Sequence, residues 1–278
     1  MNETNDVFSS STPLNIGIIG FGPFAQFLAK TMIKQGHILF ATSRSDHSQL
    51  CSQLGVKFFK EMDPFLDSNN YDVILISTSI LSLSQVLSSI PFHLLRQRTL
   101  FVDVLSVKEY PRQLLLQVLP EETDVLCTHP MFGPESGKNG WEGLAFMYEK
   151  VRIRNEDTCS RFLQIFRSEG CRMVEMPCEE HDRQAARSQF LTHTIGRVLA
   201  EMDIKSTSMD TKGFETLVYL VCEEAILVIS YCSFSTKKNI YIKKKRNMLC
   251  RDNHGYASSV LLLCFVGMLI PQICCNIL

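Results

Sequence analysis

From Leu14 onward, short apolar runs alternate with longer stretches whose apolar residues recur at helical spacing. Runs at 14–19, 37–42, 72–76, 100–104 and 125–128 are apolar almost throughout, as in Val73-Ile74-Leu75-Ile76, and each has the length of a strand. Between them, 23–35, 81–89 and 108–118 read as helices, the first with Pro23 in its opening turn, where a missing N–H costs little. Strands that are apolar on both faces and separated by helices imply a parallel sheet covered on both sides. Right-handed crossovers then give a doubly wound α/β (Rossmann) fold. Stretches 145–149 and 172–176, flanking a helix at 158–169, extend the sheet.

After Pro177 the pattern changes. Residues 179–202 carry no strand signal and no glycine before Gly196, so they read as a long helix or helix pair that opens a second domain. The organisation expected is a disordered 1–13, a nucleotide-binding domain over 14–177, the start of a truncated helical domain over 178–221, and a divergent tail over 222–278.

Composition sharpens that last boundary. The chain has 278 residues, 45% hydrophobic and 21% charged, with a net charge of −1, which excludes a disordered or collagen-like chain and gives no support to a nucleic-acid surface. Residues 1–221 carry 21 basic against 26 acidic side chains, and 222–278 carry 7 against 3. The tail also holds 6 of the 11 cysteines. The other five are scattered without a C-x-x-C pair, which fits reduced thiols better than disulfides or a zinc site. No metal-ligand cluster stands out; Cys178 and His181 are near each other, but nothing completes a set. The first 14 residues have no apolar core and no Arg but do have Glu3 and Asp6, so the cytosol is expected, with the chloroplast as the alternative.

The turn after the first strand reads Gly20-Phe21-Gly22-Pro23-Phe24-Ala25, a G-x-G-x-x-A motif with a strand before it and a helix after it. Gly20 permits the tight turn, Gly22 lets the backbone approach a pyrophosphate, Ala25 lets helix and strand pack closely, and the helix N-terminus faces the phosphates. The second strand ends Ser43-Arg44-Ser45 where an NAD-selective site usually carries an acid for the ribose hydroxyl. A guanidinium flanked by hydroxyls suits a 2′-phosphate, so NADP is expected over NAD. In such a sheet ligands bind beyond the carboxyl ends of the strands, where Ser77, Thr78, Ser106 and His129 also stand.

The stretch Asp103-Val104-Leu105-Ser106-Val107-Lys108, followed by His129-Pro130-Met131-Phe132-Gly133-Pro134, resembles the prephenate/arogenate dehydrogenase family. Glu180-His181-Asp182-Arg183-Gln184-Ala185-Ala186, the run from Ser188 to Arg197, and Thr211-Lys212-Gly213-Phe214-Glu215-Thr216-Leu217 are similar to the plant arogenate dehydrogenases in particular. The resemblance covers about 14–221. It implies a small-molecule substrate, a cyclohexadiene bearing a ring carboxylate and a 4-hydroxyl, that loses hydride to the cofactor and then CO2 in tyrosine biosynthesis. It implies that His129 is the general base, that Ser106 bonds both His129 and the reacting hydroxyl, that Ser136 meets the substrate's side-chain end, and that Gln189 and His193, four residues apart on one helix face, bind substrate. The family is expected to be homodimeric through helices that this chain lacks after Val221, so nucleotide binding is expected to persist while turnover is reduced. The tail reads as out-of-pattern sequence more readily than as a membrane anchor: 260–278 is apolar over about 19 residues but contains Gly267, Pro271, Gln272 and Asn276. The competing reading of the chain is a catalytically silent nucleotide-binding isoform.

Overall fold

The computed structural model describes residues 12–67, 70–95, 99–201 and 207–215, the side chains of 189–194 and 196–201 excepted. The first eleven residues and the tail 222–278 lie outside the described residues. No helix among the described residues is long and apolar enough to cross a membrane.

Eight strands form one sheet: β1 (Asn15–Ile19), β2 (Ile38–Thr42), β3 (Lys57–Phe59), β4 (Val73–Ile76), β5 (Leu100–Asp103), β6 (Asp124–Pro130), β7 (Ala145–Arg152) and β8 (Arg172–Glu175). Their order is β3-β2-β1-β4-β5-β6-β7-β8. The order reverses between β1 and β4, which is where an open α/β sheet leaves a crevice for a ligand. Every pairing is parallel except that of β6 with β7, where His129 faces Met147 in antiparallel register. The cause is local. A parallel return needs a crossover, usually through a helix, and the link from Pro130 to Ala145 contains none.

The helices are α1 (Pro23–Lys34), α2 (Ser48–Leu54), α3 (Met62–Asp67), α4 (Leu83–Ser88), α5 (Glu109–Val118), α6 (Glu156–Ser168) and α7 (Cys178–Glu201). In α1, Ala25, Leu28, Ala29 and Met32 are all buried; their 3–4 residue spacing puts them on one face. In α6 the Thr158 amide donates to Asn155 Oδ1 at 3.1 Å, capping the helix, and Phe162 and Phe166 pack inward. One face of the sheet is covered by α1 and α6 together with Leu14, Ile16 and Ile18, and the other by residues such as Phe65, Leu83, Leu87 and Leu115 against Ile74 and Ile76. Each such fully buried side chain contributes about 1.5–3 kcal/mol relative to exposure.

The chain divides into two compact units, Met1–Gln184 and Ala185–Leu278. The expected boundary near Pro177 marks instead the start of α7, whose first turns still belong to the first unit.

Candidate active site

Four hydrogen bonds run along the carboxyl edge of the sheet and hold the strand ends in one row. The Gly20 amide donates to the Thr42 carbonyl at 2.8 Å, Ser77 to Ile19 at 2.9 Å and Val104 to Ile76 at 3.2 Å, and the Thr128 hydroxyl donates to the Asp103 carbonyl at 2.6 Å. The glycine turn, Ser77, Thr78 and the end of β6 with His129 therefore share one rim.

Gly20 has φ +92°, and a Cβ there would stand 2.5 Å from the Ser77 carbonyl oxygen, so both backbone sign and space demand glycine. Gly22 is different. Its φ of −73° suits any residue, and no described atom lies within 4 Å of where a Cβ would be. Beside the turn, Thr78 Oγ1 is buried without a hydrogen-bond partner among the described residues. An open cradle at Gly22, the α1 N-terminus behind it and an orphaned hydroxyl fit a phosphate-bearing ligand. Phe21 and Ala25 are fully buried and serve the site through backbone and close packing, while Pro23 is exposed and Phe24 half-buried. Ser43 is half-buried, and Arg44 and Ser45 are exposed at the end of β2. The Asp46 carboxylate accepts the Ser48 amide at 2.9 Å, a bond that lowers its pKa below the usual 3.8.

Below the rim lies a buried ion pair. Lys108 Nζ donates to Asp103 Oδ1 and, at 2.6 Å, to the Thr128 carbonyl, and both side chains are fully buried. Asp103 Oδ1 also accepts the Leu105 amide at 3.1 Å, whereas Oδ2 is buried without a partner among the described residues.

His129, next to last in β6, is 8% exposed. Its Nδ1 shares a 2.9 Å hydrogen bond with Nε2 of His181, in the first turn of α7. His181 Nδ1 in turn lies 2.8 Å from Asp182 Oδ1. Asp182 accepts the Lys108 amide at 2.8 Å and the Glu109 amide at 2.9 Å, so it caps α5 from a different helix. The neighbouring Cys178 amide donates to Glu149 Oε2 at 2.7 Å, and Arg112 lies 3.3 Å from Glu179 and 3.5 Å from Glu149, which ties α7 to β7 and α5.

Of the residues expected at the site, Ser106 is exposed beyond β5 and makes no hydrogen bond to His129 among the described residues; Nδ1 of His129 bonds His181 instead. Ser136 is exposed, and its Oγ accepts the Gly133 amide at 2.9 Å, closing the loop after β6. That loop is fastened to α1 by Phe27 against Phe132 and Trp141. Gln189 and His193 fall on α7 beyond Gln184, and their side chains lie outside the described residues. Sequence reasoning assigned no role to His181, Asp182 or Lys108. The available signal was a His-Asp pair in the opening turns of a helix.

Residues 25–151 match the family model described as the prephenate dehydrogenase nucleotide-binding domain. The chain is similar to arogenate dehydrogenase 1, chloroplastic, from Arabidopsis thaliana, at 58% identity over 224 residues, 79% of this chain and 35% of the relative. It is 53% identical over 218 residues to arogenate dehydrogenase 2, chloroplastic, from the same plant, 77% of this chain and 61% of the relative. The chain thus spans about a third and three fifths of the length of these two relatives. Among solved structures, prephenate dehydrogenase from Aquifex aeolicus, in complex with hydroxyphenyl propionate and NAD+, superposes with a TM-score of 0.59 at 15% identity, covering 94% of this chain and 98% of that one. That likeness shows the fold. Both plant relatives are named chloroplastic, and the expectation of a cytosolic protein finds no support in them.

Proposed function

We propose that the chain is an NADP-dependent arogenate dehydrogenase scaffold, with prephenate as the alternative substrate, acting in tyrosine biosynthesis in the chloroplast. The observation that carries the reading is His129 at the carboxyl end of β6, on the rim that begins at the Gly20 turn, in a chain 58% identical to a plant arogenate dehydrogenase over most of its length. Nicotinamide, when bound, supplies the hydride acceptor. Gly20, Gly22, Ser77 and Thr78 would hold the dinucleotide. Arg44, with Ser43 and Ser45, would meet a 2′-phosphate.

His129 takes the proton of the substrate's 4-hydroxyl as hydride leaves the same carbon; loss of CO2 then aromatises the ring. A positioned base contributes about 10²- to 10⁴-fold. In this reading Ser106 and Ser136 would meet the substrate beside His129.

The test is NADPH formation by the purified chain with arogenate and with prephenate, beside His129→Asn. Activity with arogenate that falls at least about a hundredfold in the variant is the expected result. NADP binding by calorimetry without turnover on either substrate would overturn the enzyme reading in favour of a silent nucleotide-binding protein. Arg44→Ala is expected to raise KM for NADP far more than for NAD; equal effects would remove the cofactor assignment.

A further inference from the structure

We propose that Asp182, in the opening turns of α7, is a positioning residue that anchors the β5–α5 loop and so sets Ser106 beside His129; this rests on the reading of Ser106 and His129 as substrate-facing groups. The first amides of a helix have no partner within it, and Lys108, at the N-cap of α5, makes no capping bond with its own side chain. Asp182 supplies the cap from another helix. Its Oδ1 accepts the Lys108 amide at 2.8 Å and its Oδ2 the Glu109 amide at 2.9 Å. One carboxyl group thus holds two successive amides, which fixes both the place and the direction of the first turn of α5. The other end of the loop hangs from the sheet: the Val104 amide donates to the Ile76 carbonyl at 3.2 Å and the Leu105 amide to Asp103 Oδ1 at 3.1 Å. Only Ser106 and Val107 lie between the two anchors.

The same turn of α7 reaches His129. Lys108, whose amide Asp182 holds, donates through Nζ to the Thr128 carbonyl at 2.6 Å, one residue before His129. His181, the neighbour of Asp182, meets the His129 ring at 2.9 Å. The loop that carries Ser106 and the strand end that carries His129 therefore share one anchor, and Asp182 couples their positions. Its effect on the reaction passes through Ser106 and Lys108. Displacing a reacting group by about 1 Å costs up to about a hundredfold in rate, so loss of the anchor falls on kcat. The Gly20 amide bonds Thr42 and not this loop, so the hold on NADP does not depend on Asp182.

The test compares Asp182→Ala and Asp182→Asn, in the full-length chain, with Asn155→Ala, which strips the side-chain cap from α6 at the amino end of β6, where the Asn155 amide also bonds Asp124. In Asp182→Ala, kcat with arogenate is expected to fall about tenfold to a hundredfold while KM for NADP stays as in the wild type. Asp182→Asn keeps one acceptor oxygen and is expected to lie between the two, and Asn155→Ala to keep wild-type turnover. Amide hydrogen exchange over residues 104–110, read by mass spectrometry, needs no turnover. Asp182→Ala is expected to lose the protection of Lys108 and Glu109, and Asn155→Ala to keep it. Equal protection in Asp182→Ala and the wild type overturns the inference, and so does an unchanged kcat. An equal loss of kcat in Asn155→Ala also overturns it, since the effect would then be one of stability. A wild type without turnover on either substrate overturns the proposed function instead, and the exchange result still decides the anchor. Turnover that ignores His129→Asn yet falls in Asp182→Ala sinks the base and keeps Asp182.

Discussion

The Asp103–Lys108 pair is the costliest arrangement at the residue scale. Two opposite charges are fully buried, and one carboxylate oxygen has no partner among the described residues. Such a pair adds little net stability, but removing one member strands the other. Lys108→Met is therefore expected to destabilise the chain by about 3–5 kcal/mol, and adding Asp103→Leu to recover much of that loss. Urea denaturation followed by circular dichroism measures both; a cost below about 1 kcal/mol for the single variant would mean that the pair is solvated. The sequence made Asp103 and Lys108 part of a motif without suggesting that they meet, because burial of this lysine depends on the ends of β5 and β6 and on Asp182 of α7 meeting around it. The place of His129 near the end of a strand was legible for the opposite reason: it follows directly on a continuous apolar run and needs no tertiary knowledge. His181 was read as part of a family stretch and as half of an incomplete metal set, not as a partner of His129, which lies 52 residues away.

At the scale of elements, the long apolar runs and the helix with Pro23 at its head were legible, and the short edge was not. β3 has three residues and α2 has one fully buried residue, Cys51, so neither leaves a periodic trace. Nor does a run of apolar residues reveal strand direction; the antiparallel β7 follows from its connection. The junction of β1 with β2 carries a pH response. His37 Nδ1 accepts the Leu14 amide at 3.1 Å, and burial, with the charge of Arg161 added, holds its imidazole below the ordinary 6.5. The unfolded chain thus binds a proton that the folded one refuses. Stability from this group is complete above about pH 6.5 and declines as the pH falls towards the folded value. The melting temperature is expected to drop between about pH 8 and about pH 5, and less so in His37→Asn, which keeps an acceptor but does not titrate. Parallel pH curves for the two proteins would refute this.

Across the whole molecule, the two cores on either side of the sheet enclose all five cysteines of the described residues: Cys51, Cys127, Cys159, Cys171 and Cys178. Burial pushes the thiols of Cys51, Cys159 and Cys171 up to about 11. Cys127 is raised well above its usual value, first by its hydrogen bond with Cys178 and then by burial. A thiol that titrates near 11 in place of 9.0 holds about a hundredfold less thiolate at neutral pH, and burial blocks access besides. Alkylation with iodoacetamide followed by peptide mapping is expected to leave these five unmodified in the native chain and to label them in urea. Labelling of any of them at the same rate in both conditions would contradict the fold. The scattered spacing of these cysteines already indicated thiols over disulfides, but their confinement to the interior emerges only from the packing.

Gly22 separates two kinds of selection. An alanine there gains about 0.4–1 kcal/mol from a less disordered unfolded chain and loses a similar amount at the helix cap, so folding is nearly indifferent to it. A library chosen for soluble expression would let the position drift; one chosen for retention of a dinucleotide would not. Gly20, with its positive φ and the Ser77 carbonyl against it, would be kept by both. In a lineage that had lost its cofactor, Gly22 would be the first of the pair to change.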